Sequence, residues 1–134
     1  MKPVPLVVDA SVLVPLLLPE QGDDDDGGLG TALRDEAIDV VAPPWIDLEV
    51  LNVGARRRRL GEAELQLLAA ALEGLPINRF EPVLGDVARW SAKGLSAYDA
   101  SYVALAEEID ARLLTRDADI LALLPERATD DVSR

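Results

Sequence analysis

Short apolar runs alternate along the chain with longer stretches of helical periodicity. Pro5–Val8 (PLVV) is an apolar run closed by Asp9, the pattern of a strand buried on both faces. Ser11 offers a cap for a short helix through Leu18, with Pro15 tolerated near its first turn. Residues 19–28 (PEQGDDDDGG) read as a loop, because glycine and four consecutive aspartates cannot pack. Leu29–Ala37 reads as a short helix and Ile38–Ala42 (IDVVA) as a second strand. Pro43–Pro44 then opens a helix to about Arg59. Gly61 separates that helix from Glu62–Leu75, whose apolar residues occupy most of its circumference, as in a core helix or an interface helix. Ile77–Phe80 is a weak third strand, and Val83–Ser91 is helical. Ser96–Asp99 (SAYD) matches a capping box opening a helix to about Asp110. Arg112–Thr115 is a fourth strand, and Asp117 caps a helix over Ala118–Leu124 that Pro125 ends. Residues 126–134 read as a polar, frayed tail.

Strands alternating with helices predict an α/β fold, with a parallel sheet of four to five strands covered on both faces. At 134 residues the chain, 1–134, is expected to be a single domain, with 19–28 as an acidic insertion. Val12–Leu18 lacks the flanks of a secretion signal, and no stretch has the length of a membrane span. A cytoplasmic protein with no membrane association is the expectation.

Composition narrows the chemistry sharply. With no cysteine and no histidine, disulfide frameworks, zinc fingers, thiol nucleophiles and imidazole bases are all excluded. Carboxylates, hydroxyls, arginines and hard metal ions remain. The net charge of −12 opposes general electrostatic binding of nucleic acid, and removing Asp23–Asp26 from the balance still leaves −8.

Ligands of open α/β sheets bind beyond the carboxyl ends of the strands. Asp9 ends the first strand, Asp117 follows the fourth, and Glu49 and Asp99 lie in first turns of helices, so all four acids are placed to converge at one sheet edge. Each has a plainer role open to it: Asp99 and Asp117 as capping residues, and Glu49 as a complement to a helix dipole. Asp9, charged directly after a buried strand, is the hardest to explain as structural. Four carboxylates brought together raise one another's pKa unless a cation holds them, and an all-oxygen donor set selects Mg²⁺ or Mn²⁺. Such sites suit phosphodiester hydrolysis.

The ordered motifs VVDASVLV, PPWIDLEVLNV, LSAYDASYVALAEE and LLTRDADIL resemble the PIN-domain family of ribonucleases, and within it the VapC-type toxins of toxin–antitoxin pairs, over residues 5–124. The resemblance implies a three-layer α/β/α sandwich and a metal-dependent endoribonuclease. Its site acids carry over to Asp9, Glu49, Asp99 and Asp117. Ser11 and Thr115 match the polar residues that line such sites; Asp119 is expected to be an exposed first-turn residue. Asp9, Asp99 and Asp117 would hold the metal, directly or through water, with Glu49 completing the shell, binding a second ion or orienting the nucleophilic water. Also implied are tRNA or ribosomal RNA as target, a homodimer, and a VapB-type antitoxin as inhibitor.

For RNA contact, Arg56–Arg59 is the only basic block. Glu49, Val53 and Arg56 share one helical stripe, with Arg56 about 10 Å along the axis from Glu49, so Arg56 is expected on the strip that holds RNA. Arg116 is a second rim candidate. Asp23–Asp26 is a solubilising loop or an acidic clamp. Two rival classes stand beside the nuclease. One is a PIN-fold binding module without turnover, which would have little reason to keep four mutually repelling acids. The other is a receiver-like phosphoacceptor, which needs a lysine after a late strand, whereas only Lys2 and Lys93 exist.

Overall fold

The computed structural model describes residues 2–134. Its strands are β1 (Val4–Val8), β2 (Ile38–Ala42), β3 (Asn78–Arg79), β4 (Arg112–Leu114) and β5 (Ala128–Thr129). Its helices are α1 (Ala10–Leu17), α2 (Leu29–Arg34), α3 (Ile46–Arg56), α4 (Glu62–Gly74), α5 (Leu84–Ser91), α6 (Ala97–Glu108) and α7 (Ala118–Leu123). All pairings are parallel, in the order β3-β2-β1-β4-β5. The chain thus lays down β1, β2 and β3 in one direction and then returns to build β4 and β5 on the other side of β1. Right-handed crossovers require the helices of the two halves to cover opposite faces. In accord with this, α1 packs on α2 and α3, and α3 on α4, while α5 packs on α6 and α6 on β1 and β4.

Sandwiching explains the unbroken apolar strand sequences. Leu6, Val7, Val8, Val40, Val41, Leu113 and Leu114 are all buried, because both sides of the central strands face helices. Helix α6 is itself enclosed, every residue from Ala100 to Ala106 being buried. By contrast α4 buries only Leu68 and Leu72 and leaves Leu67 73% exposed, so its apolar circumference is only partly core.

Three expectations are corrected. The tail is not frayed: residues 128–129 form β5 beside β4, and the Val132 N–H donates to the Gly27 carbonyl at 2.8 Å. The acidic segment is tied down rather than free. Asp25 accepts from the Gly27 N–H at 2.9 Å, and Asp26 accepts from Gly28 and Gly30 at 2.9 and 3.0 Å, satisfying N–H groups at the start of α2. Finally, the cap of α1 is Asp9 and not Ser11: the Asp9 carboxylate accepts from the Ser11 N–H at 3.0 Å. Among the described residues, no helix is long and apolar enough to cross a membrane.

Candidate active site

The sheet order reverses between β1 and β4, and the carboxyl ends of these two strands open a crevice there. Asp9 leaves β1 at this point and is 4% exposed. Two hydroxyls hold it. The Arg116 N–H donates to Ser11 Oγ at 2.8 Å, and the Asp117 N–H donates to Thr115 Oγ1 at 3.0 Å. Each hydroxyl accepts from a backbone donor and gives its own proton to the Asp9 carboxylate, which can only accept, Ser11 to Oδ1 and Thr115 to Oδ2. The loop after β4 thereby orients both oxygens of a carboxylate at the end of β1. Burial, opposed by these hydrogen bonds and helped by the charge of Asp99, pushes the Asp9 carboxyl up to about 6.

Glu49 sits in the first turn of α3, where the buried Tyr102 phenol donates to its Oε1 at 2.7 Å. Burial raises its pKa, the Tyr102 hydrogen bond lowers it, and the Asp99 charge raises it further. Asp99 lies in the first turn of α6, whose N-cap is Ser96; the Ser96 hydroxyl accepts from the Asp99 N–H at 3.0 Å. Burial and the neighbouring charges of Asp117 and Asp119 push the Asp99 carboxyl above its ordinary value. Asp117 caps α7, accepting from Asp119 and Ile120 at 2.9 and 3.0 Å, so its capping role is real. It still stands close enough to load Asp99 electrostatically. Asp119 is exposed, as expected, yet acts on Asp99 too. Asp99 is the hub through which Asp9, Glu49 and Asp117 are coupled.

The donor set, carboxylates and hydroxyls without nitrogen or sulfur, suits a hard divalent cation. As arranged, no three acidic side chains among the described residues form a ready coordinating group.

Two adjoining cavities frame these acids. One, about 800 Å³, is lined by Ala10, Trp45, Leu48, Glu49, Asn52, Val53, Ser96, Tyr98 and Asp99. The other, about 270 Å³, shares Ala10 and Val53 with it and adds Ser11, Asp23, Arg57 and Arg116. Arg57, not Arg56, faces the crevice; Arg56 lies exposed at the end of α3. Stripe geometry placed Arg56 nearest Glu49, but the lining of the smaller cavity passes from Val53 to Arg57, one turn further along the chain. Arg116 is at the rim as expected, with Nη1 paired to Asp23 Oδ1 at 2.6 Å.

Sequence reasoning passed over Tyr102, Trp45 and Asn52. Tyr102 had a usable signal, since it stands three residues after Asp99 on the same helix.

Comparison with known proteins identifies the family. A family model described as PIN domain matches residues 6–124. The chain belongs to the PIN-domain family. Ribonuclease VapC3 of Pyrobaculum aerophilum is 34% identical over 133 residues, covering 92% of this chain and 98% of the relative. VapC ribonuclease Mb0985 of Mycobacterium bovis is 38% identical over 117 residues, covering 84% and 85%. The crystal structure of PAE2754 from Pyrobaculum aerophilum superposes with a TM-score of 0.69 at 26% identity, covering 97% of this chain and 90% of that one. These PIN-domain relatives share the chain's span almost end to end.

Proposed function

We propose that this PIN-domain chain is a VapC-type toxin, an endoribonuclease that hydrolyses RNA phosphodiester bonds. The observation that carries it is geometric: Asp9 leaves β1 and Asp117 follows β4 at the switch point of the sheet, and Glu49 and Asp99, in the first turns of α3 and α6, line one cavity beside them. Relatives named as ribonucleases, matched over nearly their full length, support the same activity.

Asp9, Asp99 and Asp117 would hold Mg²⁺ or Mn²⁺, with Glu49 beside them. When bound, the ion supplies Lewis-acid charge next to the scissile phosphate. Ser11 and Thr115 keep the Asp9 oxygens fixed, so little reorganisation is needed when charge develops. Glu49, raised by burial and oriented by Tyr102, is the base that takes a proton from the attacking water. A new bond forms from water oxygen to phosphorus, and the bond to the leaving ribose oxygen breaks. Arg57 and Arg116 line the adjoining cavity, where they can meet a phosphate of the same strand.

The cellular target is a tRNA or ribosomal RNA in the cytoplasm, the chain works as a homodimer, and a VapB-type antitoxin neutralises it. Its acidic crevice suits an inhibitory arginine through charge-assisted bonds.

The experiment is cleavage of structured RNA by the purified chain in Mn²⁺ or Mg²⁺, with EDTA, and with Asp9→Asn and Asp99→Asn. Loss of cleavage in EDTA and in both variants is expected. Undiminished cleavage under all three conditions would refute the metal-site reading.

A further inference from the structure

We propose that the larger cavity is a nucleobase subsite, in which Trp45, Tyr98 and Leu48 take the base of a nucleotide flanking the cut and Asn52 reads its edge. This rests on the ribonuclease reading and adds to it which part of the substrate each end of the crevice holds. The chain has only five aromatic residues. Two of them, Trp45 and Tyr98, line this one cavity. Tyr98 is 62% exposed and Leu48 68% exposed.

Trp45 is held in place rather than loosely placed. Its indole N–H donates to Ser101 Oγ at 2.9 Å, and the Ser101 hydroxyl, buried in α6, donates to the Tyr98 carbonyl at 2.5 Å. One hydrogen-bonded chain therefore fixes the indole at the N-cap of α3 against the backbone that carries Tyr98. A platform fixed beforehand loses little entropy on stacking a base.

Charge assigns the occupant. Glu49 and Asp99 are the carboxylates lining this cavity and both oppose a phosphate, while no basic side chain among the described residues lines it. The arginines lie in the adjoining cavity, on the far side of Ala10 and Val53. A strand crossing the crevice is best accommodated with a phosphate toward Arg57 and Arg116 and a neutral, flat, edge-polar base against Trp45, Leu48 and Tyr98. The Asn52 carboxamide offers a donor and an acceptor, the pairing a base edge requires. The roughly 800 Å³ volume is ample for a nucleoside.

The test uses 2′-O-methyl trinucleotides, which resist cleavage, each with a normal or an abasic central residue. Quenching of Trp45 emission is read in a Trp90→Phe background, and cleavage of matching unmodified substrates is read in the otherwise native chain. Binding roughly ten- to hundredfold weaker for the abasic probe is expected, as for loss of one stacked base. Tyr98→Ala and Leu48→Ala, both at exposed positions, should weaken the normal probe by a similar factor and the abasic probe hardly at all. Asn52→Ala should flatten the preference among the four bases. Equal binding of normal and abasic probes would overturn the subsite and leave its apolar wall to a protein segment. So would equal losses on both probes in Tyr98→Ala. A wild-type chain that discriminates the probes yet cleaves no RNA would uphold the subsite and count against the ribonuclease reading instead.

Discussion

Asp9 serves the fold and the site at once, and the two demands conflict. Its carboxylate caps α1 and accepts two hydroxyl protons, yet it is buried with a pKa near 6 against 3.8 for an ordinary aspartate. The folded chain therefore binds more protons than the unfolded chain between about pH 4 and pH 6. Stability from this group is full below that window and falls as pH rises through it, by about 3 kcal/mol in all. Asp9→Asn should flatten that dependence: in urea unfolding the variant loses less stability than the native chain between pH 4.5 and pH 7, while losing cleavage. Tyr102 makes a second prediction. Tyr102→Phe keeps the buried ring and removes the one hydrogen bond that lowers the Glu49 pKa. Ionised Glu49 is then lost at higher pH, so the acid limb of the cleavage profile should move upward. The KM for RNA should stay near its native value, a split that a general packing defect would not produce. The four acids were legible from their places after strands and in first helical turns. The hydroxyl relay was not, because it joins Ser11 to Arg116 across 105 residues of chain.

Among the elements, the central strands were written plainly, since residues buried on both faces must be continuously apolar. Ile38–Ala42 was placed to the residue. The capping residue of α1 was misplaced because Asp9 and Ser11 are both good caps, and only the β1 exit decides between them. Strand β5 left no pattern to find: Ala128–Thr129 is two residues long and only Ala128 is buried. Its docking nevertheless supports the site, for the Thr115 N–H donates to the Thr129 carbonyl at 2.9 Å, just where Thr115 turns its hydroxyl to Asp9. The tail also closes over Gly27, which has φ +64° and whose missing Cβ would lie 2.8 Å from the Asp130 carbonyl oxygen. Gly27→Ala should thus cost roughly 1–3 kcal/mol in urea unfolding. The part of that penalty due to the positive φ and to the Leu114 side chain should persist in a chain ending at Arg127, where only the contact with the Asp130 carbonyl is removed.

At the scale of the whole molecule the difficulty is that a chain of net charge −12 must receive a polyanion. Two of the arginines near the crevice are already engaged by the acidic segment: Arg116 with Asp23 at 2.6 Å and Arg58 with Glu20 at 2.7 Å. Arg57, lining the crevice with no ion pair among the described residues, is the cation most ready for phosphate. Exposed pairs of this kind are individually weak, so RNA can displace Asp23 from Arg116, but it must do so against an added local repulsion. Asp23→Asn should accordingly tighten RNA binding and steepen its dependence on salt, by about 0.7 in the log–log slope for one further phosphate on a single strand. Arg57→Ala should shift both quantities the other way, and Arg56→Ala should change neither appreciably. Titrations of a non-cleavable RNA at several salt concentrations give all three slopes. If Asp23→Asn and Arg57→Ala leave the slope unchanged, phosphate does not enter at this end of the crevice, and the acidic segment's contacts with Arg58, Arg116 and the start of α2 serve the fold alone.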